Sequence, residues 1–196
     1  PPGGGGARPL GPGAPGLVWP YTALFVGTAL TAFGSAHYHL HPNNQTLVWD
    51  RLPMTIGFMG LLSAMIGERV GRGPALVLLP PLLLAGLASV GYWRATEQLG
   101  HGDLRAYLLV QYGSLALMVL LLLLYPAHWT HARYLWAAFL AYAGAKLLEA
   151  LDQRVFAVGH LISGHTLKHL AAAAGLACIV RMLHVRTPIG FRQPPP

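Results

Sequence analysis

The sequence predicts an all-α, polytopic transmembrane helix bundle, and three observations carry that prediction. Hydrophobic residues make up 54% of the 196-residue chain and charged residues only 10%, against about a quarter charged in a soluble domain. Several apolar runs reach the ~20 residues that a bilayer core requires. The charges stand singly between those runs, as topology signals and headgroup contacts do, rather than in the clusters that grip nucleic acid. The formal net charge of +7 therefore points to lipid headgroups, and no nucleic-acid partner is expected.

Residues 1–16, PPGGGGARPLGPGAPG, cannot bury enough apolar surface to order themselves and read as a disordered tail. They carry neither the charged region nor the apolar region of a signal peptide. A transmembrane domain is expected over 17–186, with six spans. The first covers 17–39, with Pro20 where a helix start tolerates it. The second covers 52–70 and ends at Glu68-Arg69 and the turn Gly71-Arg72-Gly73. The third covers 74–93, and Pro80-Pro81 at its centre predict a kink of the kind membrane helices accommodate. The fourth, fifth and sixth cover 104–125, 132–151 and 164–185, and a tail follows at 187–196. No internal repeat and no separate soluble domain is visible. The only cysteine, Cys178, lies in an apolar run, so no intrachain disulfide is possible. It and the methionines read as packing.

Orientation follows from basic residues. One set of span ends carries Arg8, Arg69, Arg72, Arg133, Arg181, Arg186 and Arg192, with Glu68 its only acid. The opposite set carries Arg51, Arg94, Arg105, Lys146, Arg154 and Lys168 with five acids. The first set is assigned to the cytoplasm, which places both termini inside. With alternating spans, the exit of the first and the entrances of the second and sixth fall on one membrane face, opposite the cytoplasm.

Titratable residues concentrate at those three places. Ser35, His37, His39 and His41 end the first span, Asp50 precedes the second, and His165 and His169 open the sixth. Such groups beside membrane-length apolar segments are costly unless used. His165 and His169, four residues apart, project from one helix face, and Ser35 lies one turn below His39. Three imidazoles leave a tetrahedral zinc one open position for water, as in catalytic sites. The metalloprotease motif HExxH carries its own base, but here the segment reads HTLKH with Thr166 in that place. Asp50 is the candidate base, and Ser35 the candidate partner for the water or a developing oxyanion. Taken singly, most of these residues have plainer explanations. An HxxxH pair arises often by chance, and His37 and His41 read as solvated at headgroup level. Lys146 and Glu149 read as an ion pair with a snorkelling lysine. Gln111 reads as a hydrogen bond between helices, with a polar substrate group as the other option, and Asp152 as a cap or a residue lining the mouth of the site. Only Ser35, His39, Asp50, His165 and His169 together rise above such explanations.

Those five residues resemble the alkaline ceramidase family, within the superfamily of seven-helix membrane hydrolases that includes adiponectin-receptor-like proteins. The match is a Ser-x3-His ending one helix, an Asp eleven residues after that His, and a late HxxxH. Asp50-Arg51-Leu52-Pro53-Met54 is similar to the family's Asp-x-Leu-Pro-Met, which favours the ceramidase branch. The resemblance covers most of residues 20–185, and the six spans correspond to the family's last six of seven. It implies a zinc-dependent amidase embedded in the bilayer, with His39, His165 and His169 on the metal. Asp50 and Ser35 would be catalytic, and the substrate an N-acyl sphingoid lipid cleaved to a fatty acid and a sphingoid base. The calcium site of some eukaryotic members lies in an amino-terminal region where this chain has Gly and Pro, so no calcium is expected.

Two alternatives stay open. One is a membrane receptor or signalling protein with a structural zinc. The other is a haem-binding electron carrier, although histidines sharing a helix face cannot clamp one haem from both sides. A rhomboid-like protease is disfavoured, because Leu161-Ile162-Ser163-Gly164 lacks the first glycine of G-x-S-G.

Overall fold

The computed structural model describes residues 16–189. Among them are seven helices and no strand: α1 (Val18–Leu40), α2 (Leu47–Arg69), α3 (Arg72–Gln98), α4 (Arg105–Leu124), α5 (Arg133–Ala150), α6 (Asp152–Gly159) and α7 (Gly164–Val185). The expected tails fall outside the described residues, except Gly16 and residues 187–189. Three helices, α3, α4 and α7, are long and apolar enough to cross a membrane, as a membrane protein requires. The other long helices are more polar. α2 carries Asp50, Arg51, Glu68 and Arg69, α5 carries Arg133, Lys146 and Glu149, and α1 is interrupted by threonines, Ser35 and histidines. The chain divides into two units, one holding α1–α4 and the other α5–α7.

In the first unit, α1 and α2 lie backbone to backbone. Backbones can approach this closely only where residues without a side chain face the partner helix. Gly27 and Gly34, two turns apart on α1, form that contact. A Cβ on Gly27 would collide with Gly57 N and lie 2.9 Å from Pro53 O; one on Gly34 would overlap the Trp49 carbonyl. The hydroxyls of Thr28 and Thr31 donate to the carbonyls of Leu24 and Gly27, each at 2.8 Å, so α1 satisfies them internally. Ser63 Oγ donates to Ala75 O at 2.8 Å between α2 and α3. Met59, Leu62 and Met65 of α2, Leu79 and Val90 of α3, and Met118 and Leu122 of α4 are buried in this unit.

α2 begins five residues earlier than the apolar pattern predicts. The Asn43 carboxamide oxygen accepts from the amides of Gln45 (2.8 Å) and Thr46 (2.9 Å), an Asx turn that reverses the chain and starts the helix at once. Arg51 is tolerated inside it because its guanidinium lies 4.3 Å from the Trp93 ring centre and 5.2 Å from that of Tyr107. At the other end of α2, Tyr21 donates its hydroxyl proton to Glu68, and Arg69 Nη1 donates to Tyr125 O at 3.0 Å; both charged residues are buried. α3 continues as helix through Pro80-Pro81 to Gln98. Before α4, the Asp103 carboxylate accepts from Arg105 and from the Tyr92 hydroxyl (2.9 Å). Arg105 holds that carboxyl well below the usual range. A π-helical turn at Leu109–Gly113, unforeseen in the sequence, carries the buried Gln111.

In the second unit α5 packs on α7. A Cβ on Gly175 would lie 3.2 Å from Ala138 O, and one on Gly164 2.8 Å from Asp152 Cα. Leu135, Ala145, Ile179 and Met182 are buried here. Thr130 N donates to Thr187 O at 2.9 Å, and the Arg186 guanidinium lies 4.8 Å from the Trp129 ring centre, tying the unit's ends. The short α6 fills the stretch between the fifth and sixth predicted spans, to which the sequence assigned no element.

Gly34→Ala should force α1 and α2 apart at a cost of about 1–3 kcal/mol, read as a lowered unfolding temperature in detergent. Gly91→Ala, where a Cβ meets nothing within 4 Å, should leave that temperature unchanged or slightly raised.

Candidate metal centre

The first unit carries Ser35, His39 and Asp50. The contact that excludes a side chain at Gly34 would also bring a Cβ there to 3.2 Å from Asp50 N. The backbones of α1 and α2 therefore meet where Ser35 and Asp50 reside, and both residues are half-buried. Asp50 lies in the first turn of α2, not ahead of it. His39 is one turn beyond Ser35, in the last turn of α1, and exposed. His37 and His41 are exposed as well.

The second unit carries His165 and His169 in the first two turns of α7. Their Nε2 atoms face each other at 3.2 Å, with ring centres 4.9 Å apart and planes inclined at 68°. Two facing ring nitrogens cannot both carry a proton at that distance. Either one donates to the other or both present lone pairs to a cation. With zinc–nitrogen bonds of about 2.0–2.1 Å, two ligands of a tetrahedral ion stand about 3.3 Å apart. The donor set fits zinc without rearrangement of the pair.

The start of α7 is built to hold that pair. Ser163 Oγ accepts from Thr166 N at 3.1 Å, and Asp152 Oδ1 from His165 N at 2.6 Å, so two amides that a helix start leaves without intrahelical partners are satisfied. Ser163 is therefore a helix cap. Asp152, which could have capped or lined the mouth of the site, caps from the first turn of α6. Glu149 accepts from Lys146, the expected pair, and also from Lys168 Nζ at 2.6 Å. This second lysine was missed because α5 and α7 meet only in three dimensions; its spacing to Glu149 carries no signal. Gln111 is buried, and its backbone carbonyl accepts from Ser114 Oγ at 3.0 Å. Cys178 is half-buried on α7.

An all-α protein with three helices long and apolar enough to cross a membrane and a facing histidine pair is thus defined, and comparison takes it no further. No protein-family model, no curated protein and no solved structure matches the chain.

Asp152→Ala should free the His165 amide and lower stability by about 1 kcal/mol, seen as a drop in unfolding temperature. Asp152→Asn, which keeps an acceptor oxygen, should recover most of it.

Proposed function

We propose that the chain is a six-span, integral-membrane zinc-dependent amidohydrolase that cleaves the amide of ceramide-like N-acyl lipids to a fatty acid and a sphingoid base. The observation that carries this reading is the 3.2 Å separation of the His165 and His169 Nε2 atoms. That pair supplies two ligands. His39 is assigned as the third, because the exit of the first span and the entrance of the sixth share a membrane face when spans alternate. Both termini are then cytoplasmic and the site lies near the opposite face.

Zinc, when bound, supplies Lewis acidity and lowers the pKa of water to about 7. The chain's own groups do the rest. Asp50 accepts the proton of the attacking water and returns one to the departing amine. Ser35 donates a hydrogen bond to the oxygen on which negative charge develops. The approach of α1 to α2 at Gly34 sets the spacing of these two groups. A substrate held in the bilayer reaches them laterally.

Purified protein should hold about one zinc per chain, the stoichiometry of a single three-imidazole site. Elemental mass spectrometry should show it lost in both His39→Ala and His169→Ala. Full occupancy in His39→Ala would dissociate α1 from the ligand set. Asp50→Asn should keep the metal while turnover of an N-acyl sphingoid lipid falls about 10²–10⁴-fold. Undiminished turnover would remove Asp50 as the base, whereas bound zinc with no turnover in the wild-type protein would favour a receptor with a structural zinc.

A further inference from the structure

The guanidinium of Arg51, near the start of α2, is held in place without being paired. Its centre lies 4.3 Å from the Trp93 ring centre and 5.2 Å from that of Tyr107. Both rings are buried beside Val90, and Leu47, Val48, Leu52 and Leu104 pack around them, so packing fixes the walls of this niche. Aromatic faces attract the charge, but they accept none of the five N–H bonds in the guanidinium plane. Nη1 is buried and has no hydrogen-bond partner. Among the described residues Arg51 forms no ion pair.

Asp50 and Glu97, with Tyr38 and Tyr107, are close enough to act on the Arg51 charge. Neither carboxylate is bonded to it, and Glu97 Oε1 instead accepts from Asn44 Nδ2 at 2.5 Å. The charge is therefore offset while the donors are unspent, and a half-buried donor without an acceptor is unfavourable. That combination selects the kind of ligand. A phosphate or carboxylate entering here would meet two like charges, and an ammonium would meet Arg51 itself. An uncharged oxygen takes the donors and is repelled by neither. A hydroxyl suits best, because after accepting from Arg51 it still has a proton to give to a carboxylate or to water.

We infer that Arg51 binds an uncharged hydroxyl group on the lipid headgroup, so that the substrates of the site are N-acyl amino alcohols with a free hydroxyl beside the amide. The inference rests on the amidohydrolase reading for the word substrate, but the hydroxyl contact itself does not. Arg51 follows Asp50 in the chain, and a lipid whose amide lies at Asp50 presents that hydroxyl within a few bonds of it. Arg51 as a residue is only half-buried. A ligand therefore reaches the guanidinium from its open side, and a small rotation of the side chain brings Nη1 to it. Trp93 and Tyr107 hold the planar fork in advance, so little side-chain freedom is lost on binding.

Titrations on zinc-free full-length protein in a non-ionic detergent keep turnover and metal out of the readout. The ligands are N-hexanoyl sphinganine, its analogue lacking both hydroxyls, and its 1-phosphate. The hydroxylated lipid should bind at least about tenfold more tightly than the hydroxyl-free analogue, the size of a hydrogen bond to a charged group. The phosphate should bind no more tightly than the neutral lipid. The hydroxyl preference should fall to near one in Arg51→Met, which keeps an apolar stem against Trp93. Arg105→Gln, whose side chain is paired with Asp103, should keep it. Equal binding of the hydroxylated and hydroxyl-free lipids to the wild-type protein would overturn the inference without need of any variant, as would no binding of either. A preference that survives in Arg51→Met would overturn it too, and tighter binding of the phosphate would do so in favour of an anion site. A hydroxyl preference in a protein that holds no zinc and hydrolyses nothing would leave the inference standing and remove the amidohydrolase reading. Turnover without a hydroxyl preference would do the reverse.

Discussion

The first unit depends on the contact at Gly34, where α1 has no side chain and the Trp49 carbonyl of α2 occupies the space. Two helices gain dispersion between closely fitted backbones only where no side chain stands between them, and Gly27 and Gly34 permit that fit. The same contact brings the first turn of α2, and with it Asp50, against the part of α1 that carries Ser35. Packing and candidate chemistry are therefore not separable here. A side chain at Gly34 would displace the carboxylate as surely as it would loosen the helix pair.

Charged groups inside the helices show how an apolar fold accommodates them. Arg51 spreads its charge over the faces of Trp93 and Tyr107, Glu68 takes the Tyr21 hydroxyl proton, Arg69 reaches the free carbonyl of Tyr125, and Glu149 takes two lysines. Three of these four use partners from another helix. Each such partnership costs less than a bare charge in hydrocarbon and also fixes the lateral register of the helices, which apolar packing alone leaves loose. The Arg51 contacts do this for α2, α3 and α4 at the end where Asp50 lies.

Much of the helical layout was legible because length and apolarity are one-dimensional properties. The bounds of α7 agree with the predicted sixth span, since Ser163 caps it and Arg186 follows it. The start of α2 was misplaced because Asp50 and Arg51 look like loop residues until Trp93 and Tyr107 are seen around the guanidinium. α6 was missed because Asp152–Gly159 is short and mixed in polarity, and the π turn at Gln111 because it changes no hydrophobic period. At the site, the histidine pair was legible from its spacing. The Asp152 and Lys168 contacts were not, as both join residues that only tertiary packing brings together.

In the proposed reading, the candidate groups share one more property. His39 closes α1 with Ser35 one turn further in, Asp50 opens α2, and His165 and His169 open α7, so all stand at or within one turn of a helix end. A helix that crosses a bilayer core ends where hydrocarbon gives way to headgroups. An N-acyl lipid carries its amide at that same depth, between acyl chain and headgroup. A site assembled from helix ends can therefore meet the scissile bond without lifting the lipid from the membrane or drawing water into its core. Histidine and aspartate are short and hold their functional atoms near the backbone, at the level where the amide would lie.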